Sequence, residues 1–251
     1  MRRRSVLATL AAATALVAGC GGSGGRPELV VSSAASLHSA FTAYASAFTA
    51  AKLRFSFAGS DALAAQIEQG VRPDVFASAN TSLPAKLYAS GLVEQPVVFA
   101  SNTLVVAVPA KSKLTALEDV ERPGVRIAVG TPTVPIGAYT VTVLSRLPAA
   151  QRRSLQANVR DREPDVTGVV GKLTEGAVDA GFLYTTDVRA TRGALRAITL
   201  PEQLQPRVGY AAAVVKGSHH MAQAQAFISG LIRGAGQLDL LDAGFLPPPS
   251  T

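Results

Sequence analysis

Leu29-Val30-Val31-Ser32-Ser33-Ala34-Ala35-Ser36-Leu37 opens as a short apolar run and ends in hydroxyls and small residues. Leu37, Phe41, Tyr44 and Phe48 then recur at helical spacing, which marks a helix with one buried face. A strand that feeds a helix through a polar junction is the building unit of an α/β sheet, and the chain repeats it. Arg54–Ala58 reads as a second strand, followed by a helix carrying Leu63 and Ile67 and closed by Gly70. Asp74–Ala77 reads as a third strand, followed by a helix carrying Leu83 and Leu87 and closed by Gly91. Leu104–Val108 is a fully apolar strand broken by Pro109, and Val125–Val129 begins a new series. Helices are expected after Gly137 and near Val166, and strands at Phe182–Tyr184, Leu195–Leu200 and Tyr210–Val215. Two last helices carry Met221 to Leu231, then Leu238 and Leu241. Such alternation predicts mostly parallel sheets covered on both faces.

Upstream of this body, Arg2, Arg3 and Arg4 precede an uncharged run from Ser5 to Ala18. That pattern reads as an export signal over residues 1–19. The run is shorter than the roughly 18 residues read as a membrane span. Cys20 directly after Ala18-Gly19 matches the lipobox of bacterial lipoproteins, so lipid attachment at Cys20 is expected. The alternative is an ordinary signal with a chance cysteine. Residues 20–27 then form a lipidated start and a glycine-rich tether. Cys20 is the only cysteine, so the body has neither a disulfide nor a thiol nucleophile.

The formal charge of +7 falls to +4 when the three signal arginines leave, enough only for weak steering of anions. The remaining Lys and Arg are scattered without interleaved aromatics, which argues against a nucleic-acid partner. A body of about 225 residues exceeds a typical single core and permits two modest lobes without demonstrating them.

Chemistry is expected where strands hand over to helices. These junctions are Ser32–Leu37, Gly59-Ser60-Asp61, Pro132–Gly137 and Pro164–Gly168. Each offers hydroxyls, glycines or free amide N–H groups at a helix start, where unpaired donors and a partial positive charge favour anions. Taken singly, Ser36, Ser60 and Asp61 read equally as helix caps. The carboxylate of Asp61 would repel an anion.

The chain resembles the periplasmic molybdate-binding proteins of ABC transporters. The resemblance is carried in order by Ala34-Ala35-Ser36-Leu37, Phe57-Ala58-Gly59-Ser60, Pro73–Ala79, Ile127–Gly130, Val134–Tyr139, Asp179–Tyr184 with Asp187, and Gly244–Pro247. It implies a two-lobed type II periplasmic-binding-protein fold in the α/β class, with the ligand in the cleft. It implies lobe one over 28–107 and 209–251, lobe two over 108–208, and hinges near Val108-Pro109 and Arg207-Val208. It also implies that Ser36 and Ser60 supply hydroxyl and amide donors, and Ile136 and Val166 backbone N–H groups. Ile136 stands where the family more often has Ala. Tyr184 would complete the cage with its hydroxyl; the other reading of Tyr184 is a buried strand tyrosine bonded elsewhere. The implied ligand is molybdate, with tungstate as a second candidate and sulfate or another oxyanion as the alternative. The implied partner is an ABC permease, with no cofactor and no bare metal ion. Membrane attachment would be through the lipid only, the protein would be an extracytoplasmic monomer, and it would not be an enzyme.

All five positions supply neutral donors. Molybdate, tungstate and sulfate need only donors, whereas phosphate keeps a proton and needs an acceptor. Other polar groups read as background. His38 is expected at a surface or rim, and His219-His220 at the start of a solvated helix. Asp161, Arg162, Glu163 and Asp165 are expected in a solvent-facing loop. No Ser-His-Asp order, phosphate-binding loop or zinc spacing stands out.

Overall fold

The computed structural model describes residues 26–248, so the export segment and Cys20 lie outside the described residues. The chain starts in β1 (Glu28–Ala34), whose residues beyond Val30 are all buried. Nearly continuous burial is what a central strand covered on both faces requires. β1 pairs in parallel with β2 (Lys52–Ala58) and β3 (Val75–Ser78). Lys52, Arg54 and Ser56 are exposed along β2, as suits a sheet edge. A 3-10 turn at Ala35–Leu37 leads into α1 (His38–Ala47), and α2 (Ser60–Glu68) and α3 (Ser82–Ala89) join the next strands. β4 (Val97–Asn102) completes this stretch.

The chain then crosses to a second sheet. It comprises β5 (Leu104–Pro109), β6 (Ile127–Gly130), β7 (Val159–Glu163), β8 (Ala180–Tyr184) and β9 (Leu195–Thr199). Its helices are α4 (Leu117–Val120), α5 (Pro135–Arg146), α6 (Ala149–Asn158), α7 (Val166–Thr174) and α8 (Thr185–Ala190). The return leg supplies β10 (Val208–Val214), α9 (Met221–Arg233) and α10 (Ala235–Ala243).

Strand orders are β2-β1-β3-β10-β4 and β7-β6-β8-β5-β9. In each sheet four strands share one direction and a single strand opposes them, β10 in the first and β5 in the second. Each opposing strand is the first to enter its sheet after a crossing. The fold is thus two lobes of the same topology, mostly parallel as the sequence pattern predicts, although no repeat is visible in the sequence.

Two local expectations differ from the structure. The sequence places the first crossing at Val108-Pro109, with residues up to 107 in lobe one. The structure pairs Leu104–Pro109 with β8 and β9, so the crossing is at Thr103. All of Leu104–Val108 is buried within the second sheet, which no hinge segment would be. The charged stretch at Asp161–Glu163 is the edge strand β7, whose burial alternates with period two. β4 and α6 carry patterns too weak to be read from sequence.

Around α1, α9 and α10, Phe41, Tyr44 and Phe227 form the aromatic centre of lobe one. Tyr44 Oη donates to the Phe227 carbonyl at 3.3 Å, and burial pushes its pKa to about 12, with Asp239 adding to the effect. Gly230 is required there, since a Cβ would lie 1.8 Å from Tyr44 Oη. Fully burying one such ring stabilises the fold by roughly 1.5–3 kcal/mol.

Candidate functional site

Strand ends and helix starts of the two lobes face one another across a small pocket of about 20 Å³. Lobe one contributes the turn at Ala35–Leu37 and the start of α2; lobe two contributes the starts of α5 and α7 and the end of β8. Ser36, Ser60, Ile136, Val166 and Tyr184 all line this one pocket. No lysine, arginine or histidine lines it.

The donors at the pocket follow from local geometry. Ser60 is the first residue of α2 and is 1 % exposed. Its Oγ accepts the Ala79 N–H at 3.1 Å, which leaves the hydroxyl proton to be given elsewhere. Ser36 Oγ lies 3.1 Å from Tyr210 Oη. Neither serine caps its helix, so the capping alternative is not realised. Asp61 Oδ1 accepts only the neighbouring Ala62 N–H, at 2.8 Å.

In lobe two, Val134 precedes α5 without a side-chain cap and Pro135 holds its first position. The Ala138 N–H bonds the Val134 carbonyl at 2.9 Å, so Ile136 N–H stands ahead of the helical ladder. Gly137 follows because a Cβ there would meet the Thr131 carbonyl oxygen at 1.8 Å. At α7, Asp165 Oδ1 accepts from Thr167 N–H (2.8 Å) and Gly168 N–H (3.1 Å). Asp165 is therefore an N-cap facing the cleft instead of a solvent-facing loop residue, and it leaves Val166 N–H unclaimed.

Tyr184 ends β8 and is fully buried, yet its Oη has no hydrogen-bond partner among the described residues. Its ring stands edge-on to Tyr210, with centroids 5.9 Å apart, and to Tyr139 at 6.3 Å. Burial raises its pKa well above the ordinary tyrosine value, and the nearby Tyr210, Tyr139 and Asp187 raise it further. The group is a neutral O–H donor. Leaving such a group unpaired costs roughly 1–3 kcal/mol, so its position calls for an acceptor in the pocket.

Asp187 lies directly behind Tyr184 and accepts its backbone N–H at 3.0 Å. Burial raises the Asp187 pKa to about 7, the Tyr184 bond opposes this, and Asp165 adds to it. Sequence reasoning places Ala79 and Asp187 in the motifs of the resemblance without a role at the site, and it does not single out Tyr210 or Asn102. Asp165 just before an apolar helical run carried an N-cap signal that would have placed it.

Beside the pocket lies a wider interlobe groove of about 860 Å³, lined in part by Ser36, Asp165, Asp187, Arg189 and Arg192. Exposed His38 sits at this rim, 4.7 Å from the Phe57 ring. His220 departs from the solvated role expected of it. It is partly buried on the far side of lobe one, with Nδ1 3.3 Å from Asp74 Oδ1.

Across residues 29–246 the sequence matches the model of the bacterial extracellular solute-binding protein family. The chain belongs to this family. The solute-binding protein is 34 % identical over 231 residues to the molybdate-binding protein ModA of Mycobacterium tuberculosis, covering 89 % of this chain and 86 % of that one. Among solved structures, the Azotobacter vinelandii periplasmic molybdate-binding protein superposes with a TM-score of 0.79 at 23 % identity. It covers 88 % of this chain and 100 % of its own. The sulfate-binding protein SubI of M. tuberculosis superposes with a TM-score of 0.76 at 19 % identity, covering 88 % and 87 %. These two likenesses establish the two-lobed type II fold of this solute-binding protein.

Proposed function

We propose that this solute-binding protein captures a fully deprotonated tetrahedral oxyanion, molybdate or tungstate, outside the cytoplasmic membrane and delivers it to an ABC importer. One observation carries the reading. Neutral donors from two lobes converge on a single pocket, and one of them, Tyr184 Oη, is fully buried without a partner among the described residues. Ser36 and Ser60 hydroxyls, Ile136 and Val166 N–H groups and the Tyr184 hydroxyl would surround the ion. Hydrogen bonds to a charged acceptor contribute roughly 1.5–3 kcal/mol each. No cation is needed to neutralise the ion when helix starts and oriented amides face it.

The relatives' names favour molybdate over sulfate, and a sulfate ion would satisfy the same donors at longer distances. Phosphate retains a proton that this donor set leaves unsatisfied. The lobes would close about the crossings at Thr103 and near Arg207, presenting a joined surface to the permease. Cys20 would hold the protein to the membrane through its lipid.

The test is calorimetry of the delipidated protein with molybdate, tungstate, sulfate and phosphate. Tight molybdate binding with weak phosphate binding is expected. Sulfate binding without molybdate heat overturns the ligand assignment, and binding of none of the four overturns the site. Ser60→Ala should weaken molybdate binding about tenfold or more while the fold persists, because it removes one charge-assisted donor.

A further inference from the structure

The serine hydroxyls are ambivalent groups: each can donate and accept. A cage that rejects protonated anions must suppress the accepting half. Ser60 achieves this through the Ala79 N–H, which can only donate and which occupies Ser60 Oγ at 3.1 Å. Ser36 has no backbone N–H in that position. Its Oγ meets the hydroxyl of Tyr210 instead, at 3.1 Å, and either oxygen could be the donor.

A polar chain runs beside Tyr210, on the neighbouring strand β4 and across to lobe two. The Thr103 N–H donates to Asn102 Oδ1 at 2.9 Å, which fixes the amide so that Nδ2 faces the other way. Nδ2 donates across the lobes to Thr186 Oγ1 at 2.8 Å. Burial raises the Tyr210 pKa well above the ordinary value and Asp187 adds to it, while Ser36 and Asn102 oppose the rise. Asn102 and Thr186 are 6 % and 5 % exposed and Tyr210 is 0 %, so water does not compete for these groups. Among the described residues Ser36 Oγ is the one hydrogen-bond partner of Tyr210 Oη, which makes it the outlet for the phenol proton.

Resting on the oxyanion reading above, we propose that Tyr210 is a specificity-determining positioning residue. By donating to Ser36 it occupies one of that hydroxyl's two lone pairs and commits the Ser36 proton to the bound anion. Asn102, on the strand paired with β10, supports this arrangement from the interlobe crossing. Tyr210 lies on β10 and does not line the pocket; its hydrogen bond reaches the pocket through Ser36, while its ring packs against Tyr184.

Tyr210→Phe removes one oxygen and frees Ser36 to accept. An anion that carries a proton can then donate it to Ser36 Oγ. Calorimetry with molybdate and phosphate should show the preference for molybdate narrowing about tenfold in Tyr210→Phe, with the melting transition retained. In a Ser36→Ala background the same substitution should leave the ratio unchanged, because the relay has lost its endpoint. Asn102→Ala should narrow the preference in the same direction by a smaller factor, which keeps the test open if Tyr210→Phe fails to fold. An equal loss for both anions, or a Tyr210→Phe effect that persists without Ser36, overturns the proposal. A wild-type protein that binds neither anion would overturn the oxyanion reading itself, a different outcome from unaltered selectivity in a protein that binds molybdate.

Discussion

Substituting Gly59 by Ala should hold the lobes apart while leaving each of them intact. Gly59 precedes α2 with φ −57° and ψ 134°, a conformation that alanine adopts freely. A Cβ at this position would lie 2.5 Å from the Pro164 carbonyl oxygen on the opposite lobe and 2.9 Å from Asp61 Oδ1. The Asp61 carboxylate can swing aside, but the Pro164 carbonyl is backbone and cannot yield without its lobe. Ordinary contact begins near 3.4 Å, so the lobes must part locally by about 0.9 Å. Bonds of about 2.9 Å from lobe-two donors to a shared ion would then stretch beyond hydrogen-bonding range. Losing two such bonds at roughly 1.5 kcal/mol each weakens binding by about a hundredfold. Calorimetry with molybdate and a thermal melt of the ligand-free protein decide the matter. The expected pair of results is a large loss of affinity with an unshifted melt. Wild-type affinity in Gly59→Ala would refute the claim that this closed contact is needed for binding, and a strongly lowered melt would refute the claim that each lobe tolerates alanine.

Ile136→Ala should do the opposite, lowering stability by about 2–4 kcal/mol in a denaturant titration. Ile136 is 2 % exposed, and its proposed role uses only the N–H that alanine retains, so molybdate affinity should stay within a few-fold. Asp187 should make stability depend on pH. Its pKa rises from 3.8 to about 7 on folding, so between these values the folded chain holds a proton that the unfolded chain has released. Stability therefore falls as pH rises from about 4 to 7, by at most about 4 kcal/mol, and is flat above. Asp187→Asn, which keeps an acceptor for the Tyr184 N–H, should flatten that slope in melts across the range. Molybdate binding should tighten from pH 8 to pH 6 in the native protein and not in Asp187→Asn, because protonation removes a negative charge behind Tyr184.

Much of the fold was legible because apolar periodicity is a local property. β1, β3, β5 and the helices carrying Phe41, Ile67 and Phe227 announce themselves in runs of a few residues. β7 was not legible, because Asp161 to Glu163 carry charge on an edge strand that water reaches. The crossing at Thr103 was hidden for another reason: Leu104–Val108 reads as a strand in either sheet, and only its pairing with β8 and β9 assigns it. At the site, Ser36, Ser60, Ile136, Val166 and Tyr184 stand at strand-to-helix junctions, which sequence marks with small residues and hydroxyls. Tyr210 and Asn102 lie within or at the end of strands and reach the site only through contacts 174 and 84 residues away in the chain. No local pattern encodes such a meeting.

The order β2-β1-β3-β10-β4 has a consequence for how the protein comes into being. The second sheet is drawn from one unbroken stretch, Leu104 to Thr199, and can assemble as soon as that stretch exists. The first cannot, because β3 and β4 share no ladder until β10 slots between them. A polypeptide still being synthesised holds its opening half as an unfinished sheet until more than four-fifths of its length has been made. A stop codon ahead of Val208 would leave that opening half permanently gapped, even though every residue lost lies downstream of it.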